Sequence, residues 1–288
     1  MTRRKLIQLG AAAATVAAVG VAADGLLYEA LEPRLTRVEV PLARLPEALD
    51  GLTVAQLSDF HYGPFTVTPI RRAVELVNGL KPDLIVLTGD FVTIPIWNEY
   101  LHVAKRAARA AEPCAELLAP LTAKLGKYVA LGNHDRDSDP GFITECLQAR
   151  GMPVLRNSST PIEISGKRLW LAGVDDSLVG KPDLDVTLRN IPATEPVILL
   201  AHEPDYADAA KAYPVDLQLS GHSHGGQIRL PVVGPAYLPW GAKRYPMGMY
   251  RLRSLILYTN VGLGTIRVPM RLNCPPEVTL FTLRAGTK

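Results

Sequence analysis

The middle of the sequence contains five short apolar runs, and stretches with helical periodicity separate several of them. Uninterrupted apolar runs of this length are typical of strands that are covered on both faces, as in a mainly parallel sheet. The predicted strands are Leu52–Leu57, Leu84–Thr88, Tyr128–Leu131, Pro196–Ala201 and Leu217–Ser220. The alternation of strands with helical stretches predicts an α/β fold that contains βαβ units.

Helical patterns fill the gaps between the predicted strands. Thr68–Leu80 and Gly141–Arg150 are each expected to form one helix. A longer stretch, Leu101–Leu125, is expected to be interrupted at Pro113 and Pro120, because proline lacks the amide hydrogen that a helix interior uses. Alternating patterns in the second half predict a second sheet with more antiparallel character. Its expected segments are Ile162–Val174, Met249–Gly262 and Val278–Leu283.

Each of the five predicted strands is followed by residues that commonly bind metal ions. Functional sites in open α/β sheets gather beyond the carboxyl ends of the strands, so these endings are expected to converge on one crevice. The candidate ligands are Asp59, His61, Asp90, Asn133, His202, His222 and His224. Carboxylate, amide and imidazole groups together suit Mn, Fe, Zn or Co better than Ca or Mg. A carboxylate can bridge two cations, so Asp90 is the candidate shared ligand of two divalent ions.

Taken singly, each of these residues has a simpler explanation. An aspartate after a strand often caps a turn or a helix, and a buried histidine is usually a satisfied core residue. The ordered series of motifs favours one site over a set of coincidences. His102 lies in a helical stretch without a ligand partner at useful spacing, and it is interpreted as a surface or core residue. The acids interpreted as turn or surface residues are Asp24, Asp175, Asp176, Glu203 and Asp205.

The order and spacing of these motifs resemble those of the calcineurin-like metallophosphoesterases. The matching motifs are Asp59-x-His61, Gly89-Asp90, Gly132-Asn133-His134-Asp135, His202 and Gly221-His222-x-His224. Together they are highly specific, and the resemblance covers roughly Leu52 to His224. It implies a four-layer αββα sandwich of two mixed sheets, with a dinuclear metal site at one edge.

The resemblance also implies a role for each site residue. One metal ion would be held by Asp59, His61, Asp90 and His224, and the other by Asp90, Asn133, His202 and His222. His134 would not be a ligand but a catalytic residue that protonates the leaving oxygen or stabilises charge on the phosphoryl group. Asp135 would be a possible orienting partner of His134.

Two neighbouring cations can perform phosphoester hydrolysis without a nucleophile from the protein. Cations about 3.5 to 4 Å apart lower the pKa of a bridging water and stabilise an in-line displacement. The sequence has no GxSxG motif, and Ser223 is interpreted as a tight-turn residue. The predicted function is therefore a metal-dependent phosphoesterase with two divalent ions and a bridging hydroxide. One alternative is a lipid-precursor pyrophosphatase like UDP-2,3-diacylglucosamine hydrolase, which acts in lipid A biosynthesis. Another is a catalytically idle, exported metal-binding protein of the envelope.

Two segments are candidates for a substrate wall. Phe91–Tyr100 and Gly225–Pro246 are rich in apolar and aromatic residues, and Lys243 and Arg244 lie in the second. One interpretation is that these are loops that cover the edge of a sheet. The other is an apolar, basic-edged lip for a small-molecule or lipid-linked phosphoester.

The N-terminal segment has the pattern of an export signal. Arg3, Arg4 and Lys5 precede an uncharged stretch, Leu6–Ala23, which ends in small residues. The paired arginines resemble the twin-arginine type, although Leu6 stands where that motif often carries phenylalanine. The segment is expected to be either cleaved or retained as a membrane anchor, with the body exported to the periplasm or cell envelope. The expected division is therefore a signal or anchor over 1–23, a linker over 24–44 and a phosphoesterase domain over 45–288.

Charge and cysteine content exclude other classes. The formal charge of +3 is accounted for by Arg3, Arg4 and Lys5, so the rest of the chain is balanced. A nucleic-acid partner is not expected, because affinity for a polyanion is built from a surplus of Lys and Arg. The cysteines are three, an odd number without CxxC spacing, and buried thiols are expected rather than disulfides or a thiolate zinc site.

Overall fold

The computed structural model describes residues 2–5, 7–8, 15, 20, 23–26, 28–95 and 101–286. The predicted signal or anchor over 1–23 lies mostly outside these residues, as do Trp97 and Tyr100 of the candidate substrate wall and the side chain of His102. Within the described part of the chain, none of the helices combines the length and apolar character needed to span a bilayer.

The first of two sheets has five strands in the order β1-β13-β2-β3-β4. Their bounds are Arg34–Leu42 for β1, Glu277–Ala285 for β13, Thr53–Leu57 for β2, Leu84–Leu87 for β3 and Lys127–Val129 for β4. β13 runs parallel to β1 and antiparallel to β2, whereas β2, β3 and β4 are parallel to one another. The sheet is therefore mixed, with its parallel part on the side that leads to the candidate ligands.

The second sheet has six strands in the order β11-β12-β8-β7-β6-β5. Their bounds are Gly248–Leu252 for β11, Leu255–Thr259 for β12, Leu217–Ser220 for β8, Val197–Leu200 for β7, Lys167–Gly173 for β6 and Ser158–Ile164 for β5. The inner pairs are parallel, and only the outer pairs, β11 with β12 and β5 with β6, are antiparallel. A short ribbon is formed by β9 (Arg229–Leu230) and β10 (Gly234–Pro235).

Helices cover the outer faces of both sheets. Their bounds are Val67–Leu80 for α1, Leu101–Ala108 for α2, Ala111–Leu118 for α3, Asn133–Asp137 for α4, Pro140–Gln148 for α5, Leu184–Leu188 for α6 and Ala207–Ala210 for α7. Short 3₁₀ turns lie at Glu29–Leu31, Glu47–Leu49, Pro204–Tyr206 and His224–Gly226.

Three apolar clusters define the four layers. Along β2, Val54 points into a cluster between the two sheets, whereas Ala55 points into a cluster shared with helices such as α1 and α3. Successive strand residues face opposite sides of a sheet, so both faces of β2 are buried. The outer face of the second sheet packs against Leu184 and Ala207 of α6 and α7. The predicted αββα sandwich of two mixed sheets is confirmed.

Three local predictions are wrong. The linker predicted over 24–44 contains β1, whose residues Val40 and Leu42 are buried in the cluster between the sheets. The segment predicted as Val278–Leu283 of the second sheet is part of β13, which lies in the first sheet. Both errors arise because β1 and β13 pair with each other from opposite ends of the chain, which a local pattern does not reveal.

The third wrong prediction concerns Pro113. This residue lies in the first turn of α3 instead of interrupting a helix. Amide groups in the first turn have no acceptor within the helix, so proline costs no hydrogen bond there. The break between α2 and α3 falls before Ala111.

Candidate metal centre

The seven predicted ligands lie at one edge of the sandwich, where the strands of both sheets end. Asp59 and His61 follow β2, and Asp90 follows β3. Asn133 begins α4, and His202 follows β7. The remaining two, His222 and His224, follow β8. The structure therefore brings the predicted strand endings together at this edge.

One half of the centre is built by Asp59, His61 and His224, whose donor atoms are close enough together to hold one ion. The Nε2 atoms of His61 and His224 lie 3.1 Å apart. Asp59 Oδ1 lies 3.5 Å from His224 Nε2. Two imidazole nitrogens and a carboxylate oxygen thus face one point, which is the arrangement that a divalent cation requires.

The other half is built by Asp90, His202 and His222, which form a second group with ligand spacing. Asp90 Oδ2 lies 3.2 Å from His202 Nε2 and 3.4 Å from His61 Nε2 of the first half. The carboxylate of Asp90 therefore lies between the two halves. The Oδ1 atom of Asn133 is buried and has no hydrogen-bond partner among the described residues.

The second ring nitrogen of three histidines is held by a neighbour. His61 Nδ1 lies 3.1 Å from Thr93 Oγ1, His202 Nδ1 lies 2.6 Å from the Thr88 carbonyl, and His222 Nε2 lies 2.8 Å from the Trp240 carbonyl. Partners of this kind fix the tautomer and the ring orientation of metal-binding histidines. They leave His61 Nε2, His202 Nε2 and His222 Nδ1 available to the centre.

Five ligands have left-handed backbone conformations. The φ angles are 52° at Asp59, 42° at His61, 58° at Asp90, 67° at His222 and 49° at His224. A residue with a Cβ atom pays roughly 1–2 kcal/mol for this conformation. Such outliers concentrate at functional sites, where the surrounding structure holds them. The turns that position these five side chains therefore share the same kind of backbone strain, a positive φ angle at the candidate ligand.

Glycines allow the ligand loops to approach one another closely. A Cβ atom at Gly221 would lie 1.9 Å from Ser58 Oγ and 2.3 Å from Asp59 Oδ2. A Cβ atom at Gly262 would lie 2.6 Å from the Asp59 Cβ. The carboxylate of Asp59 therefore sits between two backbone segments that only glycine can form.

Burial and mutual charge set the protonation of the centre. Burial lowers the pKa of His61 to about 3 and that of His222 to about 4, so both rings are neutral at physiological pH. Burial alone would raise the pKa of Asp90, but the surrounding histidines, above all His202, hold it well below its usual range. Burial opposes a charge on His202, yet Asp90 outweighs burial and raises the pKa of His202. In the metal-free centre a proton thus supplies positive charge beside Asp90, and a cation would compete with it.

Asp135 supports the loop that carries Asp90. Its carboxylate accepts hydrogen bonds from the amides of Asp90 (2.8 Å), Phe91 (2.8 Å) and Gly132 (3.0 Å). Burial, reinforced by the charge of Asp90, raises the pKa of Asp135 to about 7. Asp135 was expected to orient His134. The hydrogen bonds of its carboxylate run to backbone amides instead.

His134 is oriented by the backbone. Its Nδ1 accepts a 2.9 Å hydrogen bond from the amide of Ile94, and its own amide donates a 3.0 Å hydrogen bond to Asp90 Oδ1. A ring nitrogen that accepts cannot carry the proton, so the neutral ring carries it on Nε2. His134 also has ligand spacing to His61 and Asp90, and it stands half-buried beside the centre.

Three of the acids that were predicted to be turn or surface residues are buried beside the centre, and one of them, Asp176, accepts hydrogen bonds from the turn amides of Leu178 and Val179. Asp175, Asp176 and Glu203 are 3%, 1% and 1% exposed. Asp175 forms ion pairs with Arg136 and Arg156. Burial, followed by a hydrogen bond to Glu203, raises the pKa of Asp176 to about 8. The positions of these acids in the sequence did not indicate that Asp176 is buried beside Glu203.

Arg271 is a functional residue that the sequence reading missed. Its side chain is fully buried, and its guanidinium donates to the carbonyls of Val261, Gly262, Gly264 and Cys274. It therefore braces the loop that closes over the Asp59 turn. The local sequence does not distinguish Arg271 from the nearby Arg267, because the carbonyl groups that it binds surround it only in the folded chain.

A cavity of about 330 Å³ opens directly beside the centre. Asp90, Asn133, His134 and His222 line its inner end. Its apolar wall includes Leu178, Ile228, Tyr237, Trp240, Ile266 and Val268. Gly225–Pro246 thus contributes to the wall as one interpretation predicted, whereas Phe91 is buried and stacks on Phe60 instead. The contribution of Ile266 and Val268 was not predicted.

The donor set suits a pair of divalent cations. The buried atom Asn133 Oδ1, which has no hydrogen-bond partner among the described residues, belongs to a predicted ligand. Buried polar atoms normally have partners, so this atom is explained if a cation is its partner. All seven ligands are nitrogen or oxygen donors of the types that Mn, Fe, Zn and Co accept.

A two-sheet sandwich with such a cluster at its edge defines the class of metallophosphoesterases. The chain belongs to the calcineurin-like phosphoesterase family, whose model matches residues 52–226. The resemblance of the motifs to this family is confirmed, and the protein is a hydrolase that acts on phosphoester bonds.

Several proteins in the family are similar over most of this chain. The uncharacterized metallophosphoesterase YkuE of Bacillus subtilis (strain 168) is 37% identical, over 99% of this chain and 98% of its own length. The phosphodiesterase YaeI of Escherichia coli (strain K12) is 34% identical, over 79% of this chain and 80% of its own. Among solved structures, a dimetal phosphatase from Danio rerio is 12% identical, with a TM-score of 0.46 over 74% of this chain and 88% of that chain.

Proposed function

We propose that this protein hydrolyses phosphoesters at a centre of two divalent metal ions. The observation that carries the proposal is the position of Asp90 Oδ2, within 3.4 Å of His61 Nε2 on one side and 3.2 Å of His202 Nε2 on the other. A carboxylate between two imidazole groups of ligand type is suited to bridge two cations. One ion would be held by Asp59, His61, Asp90 and His224, and the other by Asp90, Asn133, His202 and His222.

The bound ions would lower the pKa of a water molecule and neutralise the oxygens of the phosphoryl group. The protein side chains would then have to bind the ions and to hold the imidazole rings in position. The neutral rings of His61 and His222 offer lone pairs without first losing a proton. Thr93, the Thr88 carbonyl and the Trp240 carbonyl hold the rings in place, so little reorganisation is needed on binding.

His134 is proposed as the general acid. The amide of Ile94 fixes the proton on His134 Nε2, the nitrogen that is free to face a bound phosphoester. His134 also lines the cavity beside the centre. Donation of this proton to the leaving oxygen, or a hydrogen bond to the phosphoryl group, is worth about 10²- to 10⁴-fold in rate.

The test is hydrolysis by protein that has been stripped of metal and reloaded with Mn²⁺, Zn²⁺, Fe²⁺ or Co²⁺. Bis(p-nitrophenyl) phosphate reports diesterase activity, and p-nitrophenyl phosphate reports monoesterase activity. The Asp90→Asn variant should lose metal and activity together, while Asp137→Asn, an exposed aspartate of α4, should keep both. Two ions per chain and turnover of either substrate support the proposal. Turnover that persists in the stripped protein would refute it.

The name of the relative YaeI supports diesters as substrates of this protein. The alternative of a catalytically idle envelope protein is disfavoured by the complete set of seven ligands with His134 beside them. The lipid-precursor pyrophosphatase of lipid A biosynthesis stays a prediction.

We also propose that the protein is exported through a twin-arginine-type signal. The support is Arg3 and Arg4 before the uncharged stretch Leu6–Ala23. Twin-arginine signals are read by a receptor, so charge alone does not suffice. Replacement of both arginines by lysine keeps the charge and should retain the protein in the cytoplasm, as cell fractionation would show. Unchanged delivery would refute the twin-arginine signal and leave the phosphoesterase proposal intact.

A further inference from the structure

The geometry points to an amphiphilic phosphoester as the substrate: a phosphate at the metal centre whose alkyl or acyl group lies in the adjoining apolar cavity. This inference rests on the proposed function, because it assigns the phosphate to the same centre. The cavity has metal-centre residues at its inner end and an apolar wall beyond them. A ligand that fills it must therefore be anionic at one end and apolar at the other.

The apolar part of the wall comes from two segments. Ile228 and Tyr237 flank the β9–β10 ribbon, and Ile266 and Val268 lie in the loop before Arg271. Aliphatic side chains dominate this surface, and their favourable contact is with other apolar groups removed from water. Each buried methylene group of a ligand would add to its affinity.

The wall is poorly equipped to read a base or a sugar. Gln227 contributes an amide side chain to the wall outside the metal centre. The donor and acceptor atoms of this side chain are already hydrogen-bonded to the backbone. Its Nε2 donates to the carbonyls of Ile266 (3.1 Å) and Val268 (2.9 Å), and its Oε1 accepts the amide of Ile266 (2.8 Å). Gln227 therefore offers no free donor or acceptor to a hydroxyl-rich or heterocyclic group, whereas an alkyl chain needs none.

The aromatic faces at the mouth are also occupied. The ammonium group of Lys243 lies 4.4 Å from the ring centre of Trp240, and the guanidinium of Arg267 lies 4.7 Å from that of Tyr237. These cation–π contacts compete with a stacked base for the same faces. They also place two positive charges at the cavity mouth, which favours an anionic amphiphile over a neutral lipid.

The wall is fixed to the metal centre before a ligand arrives. The Trp240 carbonyl lies 2.8 Å from Nε2 of the ligand His222. Gln227 ties the Ile266–Val268 turn to the segment that follows His224. A preformed apolar pocket binds an alkyl chain without a cost for ordering the wall.

The test compares two diesters that differ only in the apolar group: methyl p-nitrophenyl phosphate and octyl p-nitrophenyl phosphate, both below the micellar concentration. In each reaction the oxygen of water bonds to phosphorus, the P–O bond to the aryl group breaks, and p-nitrophenolate and a proton are released while the alkyl phosphate remains. We expect kcat/KM of the metal-loaded protein to be on the order of 10- to 100-fold higher for the octyl ester. Equal values would overturn the inference while leaving the proposed function intact.

Binding provides a readout that does not depend on turnover. Octyl phosphate should bind the metal-loaded protein at least about 10-fold more tightly than methyl phosphate in calorimetry. If neither the diesters nor p-nitrophenyl phosphate are hydrolysed, the proposed function fails, and the ratio of the two binding constants still decides the inference. A ratio near one would overturn it.

Paired variants locate the preference in the cavity. The double variant Ile266→Ser with Val268→Ser removes part of the wall, and the ratio of kcat/KM for the octyl ester to kcat/KM for the methyl ester should fall about 10-fold. The matched control is Val232→Ser with Val233→Ser, at the exposed tip of the β9–β10 ribbon and outside the cavity lining. An octyl preference that survives in the cavity variant and is lost in the control would place the apolar contact elsewhere and overturn the inference.

Discussion

The guanidinium of Arg271 donates a 2.6 Å hydrogen bond to the carbonyl of Gly264. The amide of Gly264 in turn donates a 2.7 Å hydrogen bond to the carbonyl of the candidate metal ligand Asp59. Arg271 also donates a hydrogen bond to the carbonyl of Cys274. The thiol of Cys274 lies 3.2 Å from the carbonyl of His224. One buried cation thereby braces the backbone next to two ligands of the same half of the centre.

We predict that Arg271→Lys weakens the half of the centre that contains Asp59 and His224. Lysine keeps the charge but offers three donors in place of five, so buried carbonyls lose their partners. The free energy of unfolding should fall by about 2–3 kcal/mol, which urea titration would measure. Metal analysis should give close to one ion per chain in place of two.

The matched control for this change is Arg284→Lys. Arg284 is partly exposed and pairs with Glu39 and Asp50 on the surface of β13. Exposed pairs contribute at most about 1 kcal/mol, so stability and metal content should stay close to those of the parent. Full metal content in Arg271→Lys would show that Arg271 supports folding without positioning the ligands.

His134→Asn should separate metal binding from turnover. The side chain of His134 is oriented by Ile94, and no role in holding a cation is proposed for it. Hydrolysis should slow by about 100-fold or more, because the proton donor is lost. Metal analysis should still find two ions per chain. Loss of one ion would instead identify His134 as a ligand.

Gly221→Ala should displace Asp59. The added Cβ atom would lie 2.3 Å from Asp59 Oδ2 and 1.9 Å from Ser58 Oγ, both much closer than real contacts allow. Metal affinity should fall by roughly 10- to 100-fold, as it does when the partners that orient a ligand are disturbed. Gly79→Ala in α1 is the control, since nothing lies within 4 Å of its Cβ position. Unaltered metal titration of Gly221→Ala would contradict this account of the loop.

The raised pKa of Asp176 predicts a dependence of stability on pH. The pKa of Asp176 is raised to about 8 in the folded protein, and aspartate in an unfolded chain titrates near about 3.9. The folded state therefore holds the proton more tightly, and the contribution is complete below about pH 4 and is lost as the pH rises through 8. The side chain in Asp176→Asn is neutral at every pH. The variant should therefore lack this decline in the free energy of unfolding, which is on the order of 2–4 kcal/mol.

Urea unfolding of the metal-free variant and parent at pH values between about 5 and 8 measures this difference. The two curves should diverge as the pH falls from 8 to 5, because only the parent regains the proton. Parallel curves would show that Asp176 does not hold a proton in the folded protein.

The parts of the fold that the sequence predicted best are those fixed by local pattern. Both ends of the strand Leu217–Ser220 were predicted correctly. For the other four predicted strands that lead to the candidate ligands, each end lies within two residues of its predicted position. Buried apolar runs next to glycine-containing turns leave little choice of structure. β1 was missed because its stabilising partner, β13, lies at the far end of the chain.

The candidate site could be predicted because its chemistry is visible in the residue types, whereas chemistry that depends on the tertiary fold was missed. The candidate ligands are mostly histidines and aspartates that follow strands. The raised pKa of Asp176 exists only because folding buries this carboxyl group beside Glu203. Arg271 likewise gains its role from carbonyl groups in a loop that surrounds it only in the folded chain.

The pairing of β1 with β13 has a consequence for biosynthesis. β13 lies between β1 and β2, so the first sheet has a gap until Glu277–Ala285 has been translated. At an elongation rate of about 5–20 residues per second, β2 waits on the order of ten seconds or more with an unpaired edge. Such edges can recruit other chains, so the first sheet is open to pairing with foreign strands until Glu277–Ala285 has been made. Any step that requires the complete first sheet must follow the synthesis of β13.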